Sequence, residues 1–343
     1  MPIANSKFTL LDPISIGGSS GLINEGVKGT ADIKPERTRE IEYGLDWTGM
    51  DERATLDATY YTQNITDLLL TADFPASSGF EQIIVNGGEM KTSGIELSLG
   101  LNLIRSRNTN WLSRINFYRT RSEITKLDVD PYNTGGFATF LGTYRIEKGI
   151  SPTRIVGSET NADGSFKELG DETPDFQMSF NNSLRYGNFN LGFLWDWKKG
   201  GDVINLGKLL TDLGGTSGDY ETVEKYDDDS DPSTPDVDLI NGVGRLTVLG
   251  NQTAPYIEDG SYWKLRELQL SYNFSEQAVQ GFLGGRFTYL RIGISGRNLL
   301  MFTDYLGYDP EVSQFGNRAI GRSVDTIPFP SAKSFFFNIS FGM

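Results

Sequence analysis

The residues best placed to do chemistry are acidic. In "YDDDSDPSTPDVD" (226–238), Asp227, Asp229 and Asp231 hold the first three spacings of a calcium loop. Pro232 stands where that loop needs glycine and Asp238 where it needs a bidentate glutamate, so a solvated acidic loop fits better, with calcium left open. The glycine-rich "GGTSG" (214–218) lacks the Lys-Ser/Thr ending of a phosphate loop. Glu258 and Asp259 are sequence neighbours; on a strand they would face opposite ways, which argues against an acid/base pair. The chain has no histidine and no cysteine, which removes the commonest general base, the commonest zinc ligand and all thiol chemistry. No enzyme is expected. No catalytic, metal or substrate-binding residue and no cofactor is named.

Totals narrow the partners. A formal charge of −14 with no basic cluster speaks against nucleic acid. No run approaches the ~20 apolar residues of a spanning helix. The opening "MPIANSKFTLLDPISIGGSS" has no charged stretch followed by an apolar one, so no signal peptide is expected in this chain. Neither fact bears on a membrane barrel, whose segments alternate and are never apolar on average.

The positioning elements are strands. In "IELSLGLNL" (95–103), Ile95, Leu97, Leu99, Leu101 and Leu103 share one face, and Glu96, Ser98, Gly100 and Asn102 the other. Phe189, Leu191, Phe193, Trp195 and Trp197 repeat the pattern, as do Leu268, Leu270, Tyr272 and Phe274. In the closing "SAKSFFFNISFGM", Phe335, Phe337, Ile339, Phe341 and Met343 line one side, with Phe336 intruding on the other. Strands are expected near 40–48, 53–66, 90–104, 110–124, 141–148, 153–158, 174–186, 189–198, 262–274, 286–297 and 333–343. Short connections (49–52, 105–110, 186–188) are set against long ones (67–89, 125–140, 159–173, 199–261, 298–332). That asymmetry marks an outer-membrane barrel with its short turns periplasmic. All five tryptophans (Trp47, Trp111, Trp195, Trp197 and Trp263) fall at or near strand ends, as two interfacial girdles would place them. Alternation alone fits a soluble sandwich equally well; loop asymmetry and tryptophan placement favour lipid.

Longer phrases carry a family resemblance. "IKPERTREIEYGLDW" (33–47) with "ATLDATYYTQNITDLLL" (54–70) resembles a strand opening and its return in TonB-linked outer-membrane receptors, and "VNGGEMKTSGIELSLG" (85–100) resembles the next strand entry. "YIEDGSYWKLRELQLSYNF" (256–274), "GRNLLMFTDYLGYDPEV" (296–312) and "IPFPSAKSFFFNISFGM" (327–343) are similar to the C-terminal region of the SusC/RagA family. Within them, Glu258, Asp259 and Gly260 are read as a turn, Tyr262 and Trp263 as girdle aromatics, and Asn298 and Asp309-Pro310 as loop punctuation. Tyr305 and Tyr308 are read as loop anchors.

The resemblance implies an all-β fold: the C-terminal half of a transmembrane antiparallel barrel, with about 11–12 of about 22 strands and no plug domain in this chain. Residues 1–39 would be a lead-in strand and extracellular loop, and 40–343 the barrel portion, with long loops 199–261 and 298–332. The implied function is import of oligosaccharides or peptides across a Gram-negative outer membrane. The implied partners are outer-membrane lipid, a SusD-like lipoprotein, and the TonB complex through a missing N-terminal part. The other readings are a self-contained barrel of about twelve strands, using 5–14 as the extra one and acting as a passive pore or adhesin, and a soluble all-β carbohydrate-binding module.

Overall fold

A computed structural model of the chain describes residues 7–24, 26–220, 241–283, 285–311, 313–316 and 321–342. The acidic run 226–238 and Met343 lie outside the described residues.

Nine strands form one continuous antiparallel meander. They are β1 (Arg37–Gly49), β2 (Ala54–Asp73), β3 (Gln82–Arg105), β4 (Thr109–Leu127), β5 (Pro174–Tyr186), β6 (Phe189–Gly200), β7 (Tyr262–Asn273), β8 (Tyr289–Phe302) and β9 (Ser334–Gly342). Each pairs with its neighbour in sequence. Register shows why one face is apolar. The pairs Trp47–Leu56, Leu56–Leu99, Leu99–Ile115, Ile115–Phe180, Phe180–Trp195, Trp195–Leu265 and Leu265–Leu300 run as one unbroken apolar row across eight strands. One residue over, the row reads Asp46, Asp57, Ser98, Asn116, Ser179, Asp196, Lys264 and Met301, polar until its last member. A period of two turned into sheet rows gives a wall with an oily side and a wet side.

Among the described residues no second sheet covers the oily side, and Phe341 meets the ring of Phe287 edge-on at 5.8 Å at the short-turn end. Phe335, Phe337, Ile339 and Phe341 on β9 are 53–76% exposed. Leaving four such side chains in water forgoes roughly 6–12 kcal/mol of burial, comparable to the whole stability of an ordinary domain, about 5–15 kcal/mol. Hydrocarbon is the neighbour that removes this cost. The aromatic residues agree. At the long-loop end of the outer face, Trp197 stacks on Trp263 at 4.6 Å and meets Phe176 edge-on at 4.7 Å. At the short-turn end, Phe189 meets Tyr272 at 4.7 Å, and Trp111 Nε1 donates to Asn182 Oδ1 at 3.0 Å. From 189 to 197 the strand spans roughly 27 Å, against an apolar band about 25 Å tall in membrane barrels. Trp47 and Trp195 share a row but lie near opposite ends because hydrogen-bonded rows run across strands that tilt.

Three sequence expectations need correction. The stretch 67–89 is not a long loop: β2 and β3 continue to Asp73 and from Gln82, leaving 74–81 as the connection. Bulges between Ile65 and Leu69 break the alternation at Leu68-Leu69-Leu70, which therefore reads as irregular. The pair 141–148 and 153–158 is not in the wall. Thr143–Ile146 and Arg154–Thr160 join Tyr132–Thr134 and Phe166–Asp171 in a separate four-stranded sheet, because Tyr144, Ile155 and Val156 are fully buried against loop residues. The count falls from eleven to nine, and removing a hairpin keeps the last strand's direction. The described part of 5–14 adds no wall strand either: among the described residues Leu11–Ile16 pairs with Ser19–Asn24 in a separate two-stranded sheet.

The fully buried apolar core sits outside the wall. Tyr144, Ile155, Ile204, Leu206, Leu209, Tyr256 and Val324 form one cluster, drawn from the connections β4–β5, β6–β7 and β8–β9. Asp202–Asn205, Ile257–Asp259 and Val324–Asp325 form a small sheet, and helix α1 (Leu206–Leu213) packs on it. Asn205 accepts from Lys208 N and caps α1. Helix α2 (Gly242–Thr247) brings Arg245 onto Asp212 of α1 through two hydrogen bonds at 2.8 and 2.7 Å, both side chains almost wholly buried. Three loops thus fold into one body. No helix among the described residues is long and apolar enough to cross a membrane, which leaves β-strand spanning untouched.

Candidate functional site

The site begins where this loop body meets the wet face of the wall. Three residues of β7 rise toward the loops: Tyr262, Lys264 and Arg266. Alternation alone puts all three on the wet side, and the register shift between Leu265 and Glu267 then resets the phase so that Leu268 faces outward. The segment 309–311 comes down from the β8–β9 loop to meet them. Lys264 Nζ donates to Asp309 at 2.5 Å and also to Glu311. Tyr262 Oη donates to Glu311 at 2.8 Å, and Arg266 donates to Glu311 at 2.6 Å and to Asp196 of β6 at 2.6 and 3.0 Å. Burial alone would raise the Glu311 carboxyl, but the hydrogen bonds and charges of Arg266 and Lys264 outweigh it and hold it at about 2.

A second attachment lies beside the first. Buried Glu172, between β4 and β5, accepts from Arg322 Nε at 2.9 Å and from Ser323 N at 3.2 Å. Between the two attachments is a cavity of about 580 Å3, within the range of small-ligand sites. Tyr118, Gln177, Lys198 and Tyr262 line it from the wall; Glu172, Glu311, Arg322 and Ser323 line it from the loops. The four wall residues form one hydrogen-bonded row over β4, β5, β6 and β7. The cavity's carboxylates are engaged by cations, and no group of three or more metal-ligating side chains assembles among the described residues.

The residues singled out in sequence resolve unevenly. Glu258 accepts from Lys208 at 2.9 Å and from Leu306 N, while Asp259 accepts from Ser261 N at 2.8 Å, so the two carboxylates serve different neighbours. Tyr305 is buried and donates to Asp325 at 2.6 Å, an anchor as expected; burial and that carboxylate raise its hydroxyl pKa. Tyr308 is 67% exposed and its hydroxyl makes no hydrogen bond among the described residues. Trp263 lies on the oily face as read, but Tyr262 is not a girdle residue: it is buried on the wet side under Glu311. Asn298 has φ 51° and donates to Ala332 O at 3.1 Å. Lys198 and Gln177 went unmarked in sequence; the available signal was their place at the wet positions of strands whose other face is aromatic.

The family model described as TonB dependent receptor-like, beta-barrel matches residues 8–316. Among curated proteins, TonB-dependent receptor P3 of Formosa agariphila is 28% identical over 351 residues, covering 88% of this chain and 34% of that protein. TonB-dependent receptor P26 of the same organism is 26% identical, covering 84% and 32%. The chain therefore spans about a third of the length of these relatives. Among solved structures, the RagAB peptide importer in its closed-closed state superposes with a TM-score of 0.70 at 21% identity, over 97% of this chain and 38% of that one. A second structure of the RagAB peptide transporter gives 0.71 at 21%, with the same coverage.

Proposed function

The chain belongs to the TonB-dependent receptor-like β-barrel family, and from that premise we propose that it forms the C-terminal wall and outer loops of an energised outer-membrane importer. Residues 40–343 supply wall and loops, and 1–39 lead into them. The oily face meets outer-membrane lipid, the short turns face the periplasm, and the loop body stands outside the cell. The SusC/RagA resemblance of its phrases agrees with the RagAB superposition. On that reading the cargo is an oligosaccharide or a peptide, a SusD-like lipoprotein covers the loop body, and TonB drives the cycle through the rest of the receptor.

The observation that carries the proposal is the two-faced row spanning eight strands, apolar toward the bilayer and polar toward the lumen. A soluble sugar-binding module would cover its apolar face with a second sheet; no sheet covers that face among the described residues. A small closed barrel would pair its first and last strands; among the described residues β1 pairs with β2 and β9 with β8, and not with each other.

The test is uptake of labelled oligosaccharide or peptide by cells making the complete receptor, with and without TonB. Uptake that needs both the receptor and TonB is expected. Uptake that persists without TonB would indicate a passive pore and overturn the proposal.

A further inference from the structure

We propose that Lys198 is the anion-reading residue of the lumen mouth, engaging the carboxylate of an acidic oligosaccharide as it passes; this rests on the importer reading above and narrows its cargo. Lys198 is only 9% exposed and lines the cavity between wall and loops. Buried ammonium groups are ordinarily paired, and Lys264, two strand positions along on the neighbouring β7, is paired with both Asp309 and Glu311. Lys198 is not. Among the described residues, its Nζ has no hydrogen-bond acceptor and no carboxylate within 4.0 Å; the Tyr262 ring lies 5.8 Å away. The acids nearest at hand are committed elsewhere, Glu172 to Arg322, Asp259 to Ser261 and Lys199, and Glu311 to Tyr262, Lys264 and Arg266.

The surroundings give the missing partner a shape. The ammonium lies close to Gly201 and Gly260, where an added Cβ would stand 3.2 and 3.1 Å from Nζ, so bare backbone flanks it on that side. Gln177 pairs directly with Lys198 across the sheet, and Tyr118 pairs with Gln177. Neither the Gln177 amide nor the Tyr118 hydroxyl has a hydrogen-bond partner among the described residues, and Tyr118 is 47% exposed. Strands lie about 4.8 Å apart, so cation, amide and phenol ring extend over about 10 Å. A cation for a carboxylate, an amide for ring hydroxyls and an aromatic face for the sugar plane match a uronic acid and its neighbour. A peptide would seek unpaired backbone groups, and β4 to β7 are paired on both sides here, so recognition falls to side chains alone.

The test uses the intact receptor in detergent, titrated calorimetrically with a galacturonic acid oligomer, a neutral galactose oligomer of equal length and a glutamate peptide. The acidic sugar is expected to bind about tenfold or more tighter than the neutral one, the effect of one charge-assisted hydrogen bond. Lys198→Met should abolish that preference while sparing neutral-sugar affinity, and Lys198→Arg should keep it. The melting temperature of Lys198→Met should equal or exceed that of the parent, because an unpaired buried charge is removed. A lower melting temperature with the preference unchanged would mean a structural lysine and overturn the proposal. Equal affinity for both sugars, or tighter binding of the peptide, would overturn it and leave the importer reading standing. No binding by any of the three would overturn the role of Lys198 and leave the importer reading to the uptake test.

Discussion

Glu311 shows how a single carboxylate can fasten a loop to a barrel wall. Its folded pKa, about 2, lies below the ordinary 4.5. The folded state therefore gains from its ionised form at all pH values above about 4.5, and that gain is lost as the pH falls from there toward 2. Pepsin works in this window, and Leu306, Tyr308 and Phe315 flank the attachment. At pH 4 the parent should resist cleavage in 303–316, whereas Glu311→Gln should be cut there; equal resistance would remove the fastening role. The sequence disclosed part of this. Asp309-Pro310 was legible as a fixed turn and Tyr305 as an anchor, because both are local signals. Tyr262 was not, since Tyr262 and Trp263 look alike in a string and only the strand's phase sends one under Glu311 and the other into lipid.

Strand phase is what sequence conveys best and what bulges corrupt. Outward positions between Trp47 and Phe341 follow from alternation, apart from the shifts at Ile65–Leu69, Glu89–Met90, 102–104, Pro174–Phe176 and 265–267. Loop strands such as Thr143–Ile146 alternate too, yet their partner is a protein core, and a period of two cannot name the solvent on its apolar side. Within the wall, close packing on the wet face depends on Gly94 of β3. It pairs with Tyr61 of β2, whose ring would lie 2.4 Å from any added Cβ, and Tyr61 Oη shares a 2.8 Å hydrogen bond with Thr120 of β4. Gly94→Val should displace that ring, break the bond across three strands and cost about 1–3 kcal/mol. In the Tyr61→Ala background the same substitution should cost far less, a non-additivity readable in denaturant midpoints of the micelle-bound receptor. Additive losses would show that the ring is not the obstacle.

As a whole, the wall is an open sheet with β1 and β9 at its edges. Unpaired backbone groups are not tolerated in hydrocarbon, and importers of this architecture close with about 22 strands. Produced alone and refolded in detergent, the chain should give no heat-modifiable band, and supplying the complementary strands should restore one. A heat-stable closed species from this chain alone would contradict that.

If the loop body stands outside the cell, as proposed above, the loop core has a consequence for anything that recognises the receptor there. Tyr144, Leu209 and Val324 come from three separate connections yet meet in one cluster, so the surface over them is assembled from stretches far apart in the chain. Antibodies raised against synthetic loop peptides should bind the native receptor poorly. Those raised against the folded receptor should fail on denatured blots, because the epitopes exist only while the three connections are held together.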